Sequence, residues 1–325
     1  MNLTFHIIFL PGMVRYLRLA VLSLLKHSPY RYRLVSNGLQ GLELEQLREF
    51  CEISDRLELC AFPTQAILAH GVLLSVLQSR EREPFFCFMD PDVFAADSFD
   101  AVLEDHLRDC DVFSSCTVLR TAPGERPQGY WGNCLEAPNG LPLATTFFAV
   151  YRNDWLREII EKTQVGFEVC NRENFSPDVH RRLEALGLPD VQQCDTGKLL
   201  NLLSHGYGAR IKYRPLDALT HVGGVSSAFV RSSGWKERVS RNFHRPYVLR
   251  DADFEIPWWS RVKRRMIAAN VAEADQRIHR RAGHLKRMRI AAFFAFFLRS
   301  LVDGAPEPSL CLREQPLADQ IDALC

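Results

Sequence analysis

Along the first hundred positions, short unbroken apolar runs alternate with longer stretches in which apolar residues recur on a helical period. Residues 3–10 form the first run, too short for a helix, and Pro11-Gly12 breaks it. Val14, Leu17, Val21 and Leu24-Leu25 then recur at helical spacing with basic residues between them. Residues 33–36 read as a second strand stopped by Asn37-Gly38, and 42–51 as a charged amphipathic helix. A third strand over 57–62 ends at Pro63, and 64–78 alternates as a helix. The most apolar run is Phe85-Phe86-Cys87-Phe88-Met89, whose aromatic content marks a strand buried on both faces of a sheet. This βαβαβαβ order predicts a largely parallel sheet with right-handed crossovers.

Beyond this run, Ser98 is placed to cap a helix reaching about residue 109, and 112–116 resumes as a strand. Residues 120–142 are rich in Pro, Gly and Asn around Tyr130-Trp131, a long irregular segment of the kind that is functional or mobile. A strand over 145–151 and a helix from about Asp154 follow, then a variable helical section to Leu188. Asp195-Thr196-Gly197-Lys198 opens a leucine-rich helix closing at Gly206, a short strand covers 209–213, and 220–226 is a glycine-rich loop. The chain thus divides into a domain over 1–230, with halves of about 1–95 and 96–230, a basic helical extension over 231–303, and a tail over 304–325.

Composition narrows the class. The 325 residues are 47% hydrophobic and 24% charged with a net charge of +1, an ordinary globular balance that says nothing about partners. The ten cysteines contain no C-x-x-C pair and read as reduced thiols of a cytoplasmic protein, which argues against a zinc site. The amino terminus lacks the basic start and cleavage site of a signal peptide, and no apolar run reaches the length of a membrane span. One stretch departs from the average: 261–300 holds eleven Lys and Arg against two acids, a local charge of +9, and leads into a phenylalanine-rich helical run. Such a helix either rests on an anionic membrane surface or covers the domain with its phenylalanines in a core. The interleaving suits a membrane or protein surface better than nucleic acid.

Candidate chemistry starts at Asp90-Pro91-Asp92. In open α/β sheets, ligands gather outside the carboxyl ends of the strands. Two carboxylates around a proline-stiffened turn can converge there on a hard divalent cation that also takes phosphate oxygens. The plainer reading is that they end the strand and cap a turn.

The buried strand ending in Asp90-x-Asp92, the later acid of Cys194-Asp195-Thr196-Gly197 opening a leucine-rich helix, and His221-Val222-Gly223-Gly224 occur in an order that resembles the nucleotide-sugar-dependent glycosyltransferases of the GT-A fold. The likeness covers about residues 3–230. It implies an α/β fold, a Rossmann-like mixed, mainly parallel sheet flanked by helices. It implies a hexosyltransferase-type enzyme using Mn²⁺ or Mg²⁺ and a nucleoside diphosphate sugar donor, with a glycan or lipid-linked acceptor. Phe88-Met89-Asp90-Pro91-Asp92 resembles the family's Asp-x-Asp element, so Asp90 and Asp92 are the implied metal ligands, Asp90 also facing the ribose. His221 resembles the late histidine that completes the metal sphere. Ala69-His70-Gly71 through Leu77 resembles the helix facing the nucleotide and pyrophosphate, which makes His70 a donor-binding candidate. Pro11 and Asn37 follow strands one and two, where a base or ribose is gripped in this architecture. Asp195 matches the catalytic base of inverting members, although the first acid of that family's Glu-Asp pair is here Cys194. The resemblance implies a cytoplasmic enzyme, peripheral on the inner membrane face if 261–300 makes that contact.

Plainer alternatives stand beside these. Asp195 reads also as a helix N-cap, His221 as a loop histidine, and His70 as a core histidine satisfying a hydrogen bond. Pro11 and Asn37 occupy ordinary turns. Trp131 either stacks on a sugar or plugs the core, and Lys198 either touches a phosphate or is a solvated first-turn lysine. Of the other classes, a haloacid-dehalogenase-type phosphatase would carry a small hydroxyl residue at Phe94, and a nucleotidyltransferase would carry a basic glycine-rich loop where Leu10-Pro11-Gly12 stands. A non-catalytic scaffold working through the basic extension is the remaining alternative.

Overall fold

The computed structural model describes residues 1–221 apart from 12, 63–65, 116, 119–135 and 138, with the backbone alone for 15–17, 19, 117 and 118. Most of the 120–142 segment with Trp131, the glycine-rich stretch after His221, the basic run over 261–300 and the tail lie outside the described residues. All that is described belongs to one unit, Met1–Val118 with Gly124–His221. No helix among the described residues is long and apolar enough to cross a membrane.

In chain order the elements are β1 (Thr4–Phe9), α1 (Val14–His27), β2 (Arg31–Ser36), α2 (Gly41–Cys51), β3 (Leu57–Ala61), α3 (His70–Arg80), β4 (Phe85–Met89), β5 (Val93–Ala95), α4 (Asp100–Leu107), β6 (Val112–Ser114) and β7 (Thr117–Val118). They continue with β8 (Phe148–Arg152), α5 (Asn153–Thr163), β9 (Cys170–Asn171), a 3-10 turn (Arg172–Asn174), α6 (Pro177–Ala185), β10 (Gln193–Cys194), α7 (Lys198–Gly206), β11 (Ile211–Tyr213) and β12 (Leu219–His221).

Seven strands form one sheet in the order β11-β6-β8-β4-β1-β2-β3. All neighbours pair parallel except β8, which runs antiparallel to both β4 and β6. The sheet is therefore the α/β, mainly parallel and mixed sheet that the alternating pattern predicts. β4 is central, and Phe86 to Met89 are buried on both of its faces. Phe88 stacks on Tyr151 of β8 with ring centroids 6.0 Å apart, and Phe167 meets both rings edge-on. A second apolar cluster under α6 and α7 gathers Val179, Leu183, Cys194, Leu199 and Leu203.

Among the boundaries that move, three do so for a tertiary reason. α3 begins at His70, six residues later than the helical period from 64 indicates. The side chain of Asn37 donates to the Leu68 carbonyl and accepts from the Leu68 N–H, which holds the preceding segment extended. β8 begins at Phe148 and not at 145, because the Thr145 N–H donates to Ser114 Oγ. α4 begins at Asp100 behind Phe99 with no side-chain cap, so Ser98 does not cap it.

The start of α3 is fixed by a close backbone approach. A Cβ on Gly71 would lie 2.3 Å from the Phe167 carbonyl oxygen and 2.7 Å from Glu168 Cα. The same carbonyl accepts the Gly197 N–H at 2.9 Å, just ahead of α7, and the Phe167 N–H donates to Ser75 Oγ of α3. Gly71→Ala should therefore destabilise by about 1–3 kcal/mol, because backbone atoms cannot rotate out of the way. Denaturant unfolding of the variant measures this, and a neutral result would remove the contact between α3 and 166–168.

Candidate metal and donor site

The turn after β4 is built by its own residues. Asp90 donates its N–H to the Phe147 carbonyl at 3.0 Å, and the Asp90 carbonyl accepts from the Val93 N–H at 3.2 Å. That closes a β-turn with Pro91 at its second position, where a φ fixed near −65° is favourable. Asp90 and Asp92 are thereby two residues apart across a stiff turn, with Asp92 at 1% exposure and Asp90 half-buried.

His221 reaches them through strand pairing. β12 lies antiparallel to β5 with His221 opposite Val93, so the ring arrives beside Asp92. It stacks on Phe147 with ring centroids 4.3 Å apart and planes 15° off parallel. Phe147 thus supports the site twice, through its carbonyl under Asp90 and its ring under His221. His221 Nε2 lies 3.3 Å from Asp90 Oδ2 and 3.3 Å from Asp92 Oδ1. Neither contact is aligned as a hydrogen bond, and both ring nitrogens are buried with no hydrogen-bond partner.

A buried imidazole set 3.3 Å from two carboxylates, with no aligned hydrogen bond to either, marks a place that a cation can fill. Two carboxylate oxygens and one neutral ring nitrogen form a donor set that can hold a divalent cation. Ligands about 2.1 Å from a common ion stand roughly 3 Å apart, close to the spacing observed. Among the described residues, Asp90, Asp92 and His221 are the one group of such side chains whose ligand atoms all lie within 4.8 Å. The residues fit a divalent cation. In the metal-free protein, burial pushes the His221 imidazole down, but the charges of Asp92 and Asp90 outweigh it and raise the pKa to about 9.

The structure places the other predicted residues in different situations and does not group them with Asp90, Asp92 and His221. Pro11 follows β1, half-buried, in the turn where Met13 N–H donates to the Leu10 carbonyl. Asn37 follows β2, but both ends of its amide are engaged by Leu68, which makes it a holder of the segment leading into α3. His70 is half-buried at the first residue of α3, outside the core position the apolar pattern indicates. Asp195 is half-buried after β10; its Oδ1 accepts the Thr196 N–H, and its carbonyl accepts the Lys198 N–H.

Two supporting residues escape the sequence reading. Lys198 is wholly buried, where a solvated first-turn lysine is one expectation, and its Nζ donates to the Ala144 carbonyl at 2.7 Å. Asn201, one turn along the same face of α7, accepts the Ala144 N–H and donates to Tyr151 OH and the Gly197 carbonyl. α7 therefore grips the strand-leading segment that ends in Phe147. The signal for this lies in two polar residues at i and i+3 inside Lys198-Leu199-Leu200-Asn201-Leu202-Leu203.

No family model and no curated protein matches the chain. Among solved structures it is similar to TarS 1-349 of S. aureus, with 12% identity over 99% of this chain and 88% of that one and a TM-score of 0.43. It is also similar to the mannosyltransferase PcManGT of Pyrobaculum calidifontis, with 12% identity over 99% and 78% and a TM-score of 0.44. An active-site mutant of LgtC shows 13% identity over 74% and 95% and a TM-score of 0.44.

The charge arrangement sets a pH dependence for the chelator-treated protein. His221 has a folded pKa of about 9, above its ordinary 6.5. Its ionic contribution is complete below about pH 6.5 and is lost as pH climbs towards 9, roughly 3 kcal/mol in all. Thermal midpoints across that range should fall for the wild type and stay flatter for His221→Asn; identical profiles would dissociate His221 from the two aspartates.

Proposed function

We propose that the chain is a metal-dependent glycosyltransferase of the GT-A type, moving a sugar from a nucleoside diphosphate sugar to a hydroxyl on a glycan, polysaccharide or lipid-linked acceptor. The observation that carries this reading is the convergence of Asp90, Asp92 and His221 at the carboxyl end of the central strand, where an α/β sheet presents its ligands.

In this reading Asp92, Asp90 and neutral His221 hold Mn²⁺ or Mg²⁺. The bound cation supplies electrostatic stabilisation for the negative charge of a departing diphosphate. Asp90, partly open, also faces the ribose, while Asp92 lies within the protein and keeps its orientation through the Pro91 turn. The first turn of α3, with His70 and its unpaired N–H groups, lies at the same edge and suits a phosphate. The turn after β1 at Pro11 is a wall for the base, and Asn37 shapes that wall by fixing the segment at Leu68. Asp195 takes the proton of the incoming hydroxyl, which corresponds to transfer with inversion. Its carboxylate leads directly into α7, whose Lys198 and Asn201 are anchored in the same framework as Phe147. The catalytic domain spans about 1–230, and the basic run over 261–300 serves an anionic membrane surface, which places the enzyme at the cytoplasmic face of the membrane.

Two measurements test the reading. Thermal stability against a panel of nucleotides and nucleotide sugars should show a Mn²⁺-dependent rise with one donor, about 2.7 kcal/mol at a hundred times its dissociation constant. Asp92→Asn should abolish that shift, read against the variant's own unliganded midpoint because His221 also loses its principal counter-charge. No shift with any donor would sink the transferase assignment. Asp195→Asn should then lower the turnover of transfer by about 10²–10⁴ with donor affinity unchanged, and parallel losses in both would make Asp195 structural.

A further inference from the structure

We infer that Cys170 and Cys194 form a thiol–disulfide exchange site, in which a small-molecule disulfide such as oxidised glutathione links β9 to β10 immediately before Asp195. The two residues are register partners in the antiparallel β9–β10 pair. Side chains directly opposite in such a pair point to one face, and here Cys194 belongs to the apolar cluster under α6 and α7 while Cys170 packs against it.

The phase of the ladder sets the spacing. Arg172 N–H donates to the Gln192 carbonyl at 2.7 Å, so 172 and 192 are a hydrogen-bonded pair. Alternation makes 171 and 193 the wider-bonded pair and returns hydrogen bonding at 170 and 194. Cα atoms in such a pair stand about 5.5 Å apart, inside the range of roughly 4.4–6.8 Å that disulfides occupy. Their Cβ atoms stand about 5 Å apart against about 3.8 Å in a relaxed bridge, so closure draws the strands together. A bridge formed under that tension is readily reduced, which suits a reversible link more than a permanent staple. Among the described cysteines, no other two face each other across a ladder: Cys60 lies opposite Val35, and Cys87 opposite Phe5 and Val150.

Accessibility orders the chemistry. Cys170 is half-buried, whereas Cys194 is fully buried. The Cys170 thiolate attacks the small disulfide, forming a mixed disulfide and expelling one thiolate. The Cys194 thiolate then attacks the Cys170 sulfur and expels the second. Two protein thiols and one disulfide become one protein disulfide and two small thiols, which carry off the two protons. Burial, and then the neighbouring Glu168, hold the Cys170 thiol above its ordinary pKa, so the reaction gains speed as pH rises. Formation of the link rests on the register alone and is independent of any glycosyl transfer.

The test incubates the native full-length chain with oxidised glutathione at mildly alkaline pH, quenches with acid, alkylates the remaining thiols and maps the peptides by mass. A peptide pair joining Cys170 to Cys194 is expected, with two glutathione thiols released per link, full reversal by dithiothreitol, and no link in Cys170→Ala. In that variant Cys194 should stay unmodified for as long as the fold is intact. A persistent glutathione adduct on Cys170 with Cys194 alkylated as a thiol would overturn the inference, as would linkage of Cys170 to another cysteine. Equal modification of Cys194 in the variant and the wild type would overturn the proposed order.

Discussion

Asp90 and Asp92 flank one tight turn, and Asp92 is shut away from water, so the repulsion between their charges has to be answered from within the protein. The structure answers with His221, 3.3 Å from each. Without a cation, a protonated imidazole balances the pair. A bound cation would be held by Asp90, Asp92 and the neutral ring of His221. β12 delivers His221 to that spot, and the remaining architecture can be understood as what keeps it there.

Strand pairing does most of this. β4 is pinned between β1 and β8, so its carboxyl end cannot shift without breaking two ladders. The turn with Pro91 sends the chain into β5, and β5 receives β12. Phe147, at the entrance to β8, ties the two sides together with a carbonyl for Asp90 and a ring for His221. Lys198, wholly buried, donates its Nζ to the Ala144 carbonyl of the segment that leads to Phe147. A lysine in that position makes sense as a fixed pin between α7 and the segment supporting the site. The proposed base, Asp195, precedes the same helix, so one element would govern both the cation's support and the approach of the acceptor hydroxyl.

The β9–β10 pair brings a different chemistry to the same neighbourhood. It is only two residues per strand and ends immediately before Asp195. Short ladders open at low free-energy cost, and a covalent link there would change how freely the segment before Asp195 moves.

Local pattern was enough for much of this. The aromatic run at 85–89 and the alternation before it specify a parallel sheet with a doubly buried central strand, because period and burial follow from which side chains are apolar. The proline between two aspartates specifies a turn that sets both carboxylates side by side. The helix after Asp195 was legible to its last residue, Gly206, since its leucines and its glycine stop are local signals. Other features depend on partners distant in sequence. The late start of α3 is imposed by Asn37, the direction of β8 is fixed by its ladders to β4 and β6, and the burial of Lys198 is met by Ala144. Sequence alone therefore determined which residues could bind a cation, from their chemistry and spacing. Only the tertiary structure decided that His221 meets Asp90 and Asp92, because that meeting rests on a ladder between β5 and β12, and no local pattern records which strands will pair.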